Sequence, residues 1–114
     1  MTTDCIFCRI VSGDLPSAQA YSDDHVLAFA DINAVAPIHT LVIPKQHITF
    51  LEGMTAEHEP SLGRLLRAAA EVARQQKLVE SGYRLVINQG ADAGQMVDHL
   101  HVHILGGRTL GSMV

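Results

Sequence analysis

An α+β fold with a mainly antiparallel sheet is what this sequence of 114 residues predicts. Three observations carry that expectation. Short β-type runs occur in five places, one long amphipathic helix interrupts them, and the strict strand-helix-strand alternation of a parallel sheet is missing. The length, with 47% hydrophobic and 18% charged residues, suits one compact domain and excludes both disorder and a pair of independent domains. Such a chain buries about two-thirds of the surface its unfolded form exposes, enough for a core without disulfide staples.

From Cys5 to Val11 the spacing predicts a short helix, with Ile6, Phe7, Ile10 and Val11 as its apolar stripe and Ser12-Gly13-Asp14 as its end. Alternation from Ala18 to Tyr21, a break at Ser22-Asp23-Asp24, and renewed β character from His25 to Ala30 predict a hairpin. Asp31 to Pro37 reads as a loop, and His39 to Ile43 as a third strand that Pro44 stops. Thr55 to Glu59 reads as a turn. A long helix follows, with Pro60 at its start, where a missing N–H costs nothing. Leu62, Leu65, Leu66, Ala69, Val72 and Ala73 recur at three- and four-residue steps over about five turns. Tyr83 to Asn88 and His99 to Leu105 supply the last two strands, separated by the glycine-bearing loop Gln89 to Gln95.

Eight Lys and Arg against twelve Asp and Glu give a net charge of −4, which excludes gripping a nucleic-acid backbone. A small phosphate-bearing ligand remains compatible, because backbone N–H groups bind one without many cations. No apolar run reaches the ~20 residues of a membrane span, and Met1-Thr2-Thr3-Asp4 lacks the basic start of a signal peptide, so a cytoplasmic protein is expected.

Seven histidines outnumber the five aromatic residues, and three of them alternate with aliphatics in His99-Leu100-His101-Val102-His103-Ile104-Leu105. In a strand this spacing sets all three imidazoles on one face, successive ones about 7 Å apart, while Leu100, Val102 and Ile104 bury the other. Histidine is not a favoured strand residue, so three in register ask for a chemical reason. Two compete. The imidazoles could be metal ligands of a hydrolase; alternatively, one neutral imidazole attacks an electrophilic phosphorus while its neighbours donate to the phosphoryl oxygens. The preceding loop favours the second, because Gly90 and Gly94 let backbone amides approach an anion and Gln95 adds a donor.

Cys5 and Cys8 supply half of a tetrahedral zinc site that two histidines elsewhere would complete. As idle thiols they would be inert; as a redox pair they would be expected within a parallel β-α-β pattern, which is not present.

The run from His99 to Leu105 matches at every position the His-φ-His-φ-His-φ-φ signature of the histidine triad superfamily. Ile6-Phe7 with Ile10, Leu27 to Ile32, Leu41 to Ile48 and Asn88 to Arg108 also resemble its nucleotide-binding branch, the Hint proteins, so the likeness covers nearly the whole chain. The resemblance implies one domain over residues 1–114, a five-stranded sheet, and a homodimer with the long helix at its interface. It implies hydrolysis of the P–N bond of purine nucleoside 5′-phosphoramidates, with His101 as the nucleophile that forms a nucleotidyl-histidine intermediate. His103 and Gln95 would bind phosphate oxygens with help from Asn88, and His39 would join His99 in a hydrogen-bonded relay. Asp31 would accept the ribose hydroxyls, and Ile6, Phe7, Ile10, Ile32 and Leu41 would wall the purine pocket. For Ile6, Ile10 and Leu41 plain core packing competes with that role. The same resemblance implies a structural zinc on Cys5, Cys8, His47 and His99.

Two positions depart from the family. Where Hint enzymes carry a serine after the phosphate-binding glutamine, thought to protonate the departing amine, this chain has Met96, which has no proton to give. Thr109 to Val114 also lacks the Trp-Pro-Pro-Gly end of the animal enzymes, so substrate choice does not transfer. Other readings are a nucleotide-binding or interaction protein with little catalysis and a dinucleoside polyphosphate hydrolase or nucleotidyltransferase of the same superfamily.

Overall fold

The computed structural model describes residues 4–113; Met1, Thr2, Thr3 and Val114, which entered the reading of the two ends, lie outside the described residues. The chain runs α1 (Ile6–Ser12), β1 (Gln19–Ser22), β2 (Val26–Ala30), β3 (Ile38–Pro44), α2 (Glu59–Gln75), β4 (Arg84–Val86) and β5 (Val102–Gly106), with short 3-10 turns at Leu51–Gly53, Ala56–His58 and Ala91–Ala93. The five strands form one sheet in the order β1-β2-β3-β5-β4, and every pairing is antiparallel. The expected α+β class and five-stranded sheet are therefore found.

Period-two alternation sorts the strand side chains onto two faces. Val26, Ala28, Val42, Val102 and Ile104 point to the face covered by α2, where Leu65, Ala68, Ala69, Val72 and Ala73 meet them. Leu27, Phe29, Leu41 and Ile43 point to the opposite face, where α1 lays Phe7 against them. The central strands β2 and β3 are thus buried on both sides, which is why they read as nearly continuous apolar runs. None of the described helices is long and apolar enough to cross a membrane.

Two strands are shorter than the sequence suggests. β5 begins at Val102 rather than His99, because the register would set Leu100 against Pro44, which has no N–H for the ladder. Leu100 N–H donates instead to the Ile48 carbonyl at 2.6 Å, so His99 and His101 extend the line of β5 outside the paired sheet. β4 ends at Val86 rather than Asn88. There the chain turns away as Gln89 accepts the Leu51 N–H at 2.7 Å through its side chain. The turn expected from Thr55 to Glu59 is the 3-10 turn Ala56–His58, α2 already starts at Glu59, and Pro60 takes the second helical position rather than the first.

Candidate functional site

Alternation along β3 and β5 brings His39, His101 and His103 to the α1 face, where Phe7 packs edge-on against His101 with ring centroids 5.2 Å apart. His101 and His103 are neighbours at 5.0 Å between ring centroids, nearer than the expected spacing of about 7 Å along the strand. His99 is completely buried, and Phe7 also stands edge-on to it at 5.8 Å.

Backbone groups fix where the ring protons lie, because a carbonyl only accepts and an amide N–H only donates. His101 Nδ1 is 2.7 Å from the His99 carbonyl, so its proton sits on Nδ1 and Nε2 carries the free lone pair. His99 Nε2 is 2.8 Å from the Pro44 carbonyl and must donate to it, which leaves a lone pair on Nδ1. The Val35 N–H donates to His39 Nδ1 at 3.1 Å, so the His39 proton is on Nε2, 2.8 Å from His103 Nδ1. His103 accepts there and so carries its own proton on Nε2; the Asn88 side-chain nitrogen 3.5 Å away is also a donor, so the two are neighbours without a hydrogen bond between them.

Burial, reinforced by the neighbouring His101 and His39, pushes the His103 pKa down to about 4. Burial likewise lowers that of His39, against the opposing pull of the Asp31 carboxylate. Asp31 Oδ2 lies 3.3 Å from His39 Nε2, and its Oδ1 accepts the Asn33 N–H at 2.8 Å.

The loop before the triad is tied by one side chain. Gln95 Oε1 accepts the Gly90 N–H at 2.7 Å and its Nε2 donates to the Val97 carbonyl at 3.1 Å, leaving one amide hydrogen uncommitted. Gly90 and Gly94 adopt φ of 88° and 82°, a backbone that side chains disfavour. Gln95 therefore shapes the loop as well as lining it.

At the other end of the triad, Cys5, Cys8, His47 and His99 gather with one potential ligand atom each. The His99 Nδ1 lone pair faces Cys5 Sγ at 3.3 Å and Cys8 Sγ at 3.6 Å, and His47 Nδ1 is 3.2 Å from Cys8 Sγ. A tetrahedral ion with S and N ligands requires about 3.5 Å along such an edge, so the cluster has the shape of a metal site. Burial, followed by the adjacent Cys5 thiol, raises the Cys8 pKa to about 11; a divalent cation supplies the opposite pull.

The triad itself does not converge on one ion: His99 turns to the cysteines, His101 to a backbone carbonyl and His103 to His39, so the expected relay between His39 and His99 gives way to one between His39 and His103, both nitrogens of His99 being engaged by Pro44 and the cysteines. Of the expected purine-pocket residues, Phe7 and Leu41 are buried together and Ile10 packs against them. Ile6 is half exposed, while Ile32 and Met96 stand in solvent at 94% and 91% exposure. Sequence reasoning missed the Val35 N–H and the Pro44 carbonyl, which carry no side-chain signal.

The family model for the HIT domain matches residues 12–110. The chain belongs to the HIT domain family. It is 45% identical over 114 residues, all of this chain and 96% of the other, to the purine nucleoside phosphoramidase of Escherichia coli strain K12. Among solved structures, a HIT family hydrolase from Clostridium thermocellum superposes with a TM-score of 0.94 at 41% identity, covering 100% of this chain and 99% of that one. A histidine triad protein from Clostridium difficile gives a TM-score of 0.94 at 39% identity over the same shares.

The low pKa of His103 sets a pH dependence of stability. The folded group stays neutral down to about pH 4, whereas an ordinary histidine, like that of the unfolded chain, takes up its proton near 6.5. Its contribution is complete above pH 6.5 and is lost as pH falls towards about 4. Urea midpoints measured between pH 7 and 4 should fall less steeply for His103→Asn than for the wild type. Parallel curves would contradict this account.

Proposed function

We propose that this HIT-domain hydrolase cleaves the P–N bond of purine nucleoside 5′-phosphoramidates through a nucleotidyl-His101 intermediate. One observation carries the reading: the His99 carbonyl holds the His101 proton on Nδ1 at 2.7 Å, so Nε2 offers an unprotonated lone pair without any change of tautomer. In the first step Nε2 bonds to phosphorus, the P–N bond breaks, and the amine leaves with a proton. In the second, water attacks phosphorus, the P–Nε2 bond breaks, and the nucleoside monophosphate is released with His101 restored.

His103 Nε2–H, steered outward by His39, donates to a phosphoryl oxygen with Asn88 beside it. The free amide hydrogen of Gln95 and the Gly90–Gly94 loop meet the same group, and Asp31 accepts the ribose hydroxyls. Phe7, Ile10 and Leu41 form the apolar ground of the base site, with Ile6 and Ile32 at its rim.

His99 and His39 are poor sources for the amine's proton. The His99 proton is committed to Pro44 in a fully buried ring, and the His39 proton lies between His103 Nδ1 and Asp31 Oδ2. With Met96 at the serine position, water or the substrate itself must supply it. The reading extends to one domain over residues 1–114 and a homodimer. Edge strand β4 exposes Leu85, with Tyr83 and Ile87 beside it, as a surface a second copy would cover.

Zinc fits the Cys5, Cys8, His47 and His99 cluster by donor type, spacing and lone-pair direction. Bound there, it would hold the thiolates and clamp His99, whose carbonyl orients the nucleophile. Protein purified without chelator should carry about one zinc per chain. Cys8→Ser should lower both metal content and Tm; a full complement of zinc in that variant would refute the assignment.

Steady-state release of AMP from adenosine 5′-phosphoramidate tests the central claim. His101→Ala should reduce turnover by about a thousandfold or more while AMP still binds. Equal turnover in variant and wild type would overturn it, and AMP binding with no turnover in either would favour a nucleotide-binding module, the reading that Met96 supports. Met96→Ser should accelerate substrates with poor amine leaving groups more than those with good ones; an equal effect on both would remove the leaving-group argument.

A further inference from the structure

Asp31, His39 and His103 form a polar row across three strands. The Asp31 N–H donates to the His39 carbonyl at 3.0 Å where β2 ends, and His39 pairs with Leu105 while His103 pairs with Leu41. Cross-strand register therefore makes the three side chains neighbours on one face.

The His39 ring carries a single proton when neutral, and the Val35 N–H has already placed it on Nε2. Two acceptors face that proton: His103 Nδ1 at 2.8 Å and Asp31 Oδ2 at 3.3 Å. Asp31 Oδ1 is occupied by the Asn33 N–H, while the side chain keeps 18% of its surface open. Oδ2 is thus the oxygen that both His39 and an arriving ligand hydroxyl can use.

We propose that Asp31 is a positioning residue as well as a binding one. A ligand hydroxyl on Oδ2 commits the His39 proton to His103 and so holds His103 Nε2–H towards the phosphoryl group. The proposal rests on the reading above that His103 donates to phosphate and that Asp31 receives the ribose. Its consequence is that the ribose hydroxyls act on the chemical step as well as on binding. A carboxylate that only bound ribose would stabilise ground and transition states equally and leave kcat unchanged.

The test separates kcat from KM for an AMP–amine conjugate and its 2′,3′-dideoxy counterpart, in the wild type and in Asp31→Ala. The dideoxy substrate should lose about fivefold in wild-type kcat, the worth of one shared hydrogen bond. In Asp31→Ala the two substrates should share one kcat, with KM raised for the ribose form. A wild-type loss confined to KM overturns the proposal, as does a kcat difference that survives in Asp31→Ala.

Ring 15N spectra of the wild type with saturating AMP or 2′,3′-dideoxy-AMP read the proton positions without turnover. AMP alone should move His103 Nδ1 towards a stronger acceptor signal. Identical His103 signals with both ligands overturn the coupling. Failure of either phosphoramidate to turn over sinks the hydrolase reading while the spectra still decide the coupling, and failure of AMP to bind overturns both.

Discussion

The period-two alternation of β3 and β5 is the constraint on which the rest of the molecule depends. It sends Val42, Val102 and Ile104 to α2 and, one residue out of step, sends His39, Leu41 and His103 to α1. A one-residue slip of β5 would exchange an aliphatic core for imidazoles and leave the histidines against α2. The same register that buries the core therefore also assembles the site. For His39 and His103 stability and chemistry share one pairing, while His99 and His101, outside it, are held by backbone carbonyls.

Within that frame, backbone groups do what charged side chains do in many phosphate sites. The Val35 N–H, the His99 carbonyl and the Pro44 carbonyl each settle one imidazole, and each comes from a segment fixed by the sheet or by its edge. A backbone group cannot change its donor or acceptor sense, so the resulting tautomers are fixed by the fold. His99 links the two halves of the site: its ring addresses the cysteines, and its carbonyl addresses the His101 ring.

Much of this was legible in the sequence, and the reasons differ by residue. The alternation of His99, His101 and His103 with aliphatics foretold both the shared face and the buried opposite face. The two-sided burial of β2 and β3 showed as apolar runs. Cys5 and Cys8 do meet His47 and His99, although 39 residues separate Cys8 from His47 and 94 separate Cys5 from His99, and only family resemblance named those partners. What stayed hidden rests on the backbone. Pro44 as the reason β5 starts late, and Val35 as the group that sets His39, are consequences of register, which no local pattern displays. Gln95 illustrates an intermediate case: its donor capacity was evident, but its oxygen is spent on closing the loop.

The triad is polar without being cationic, in keeping with a chain of net charge −4. Among the described residues, none of the groups that His99, His101 and His103 meet in these contacts is a Lys or Arg. Burial keeps His103 uncharged down to about pH 4, so it can donate a hydrogen bond without placing a positive charge beside His101. In the proposed reaction such a site would hold a singly charged phosphodiester-like group by directed dipoles. The proton shared between Asp31 and His103 is then the natural place for a ligand's sugar to influence what happens at its phosphorus.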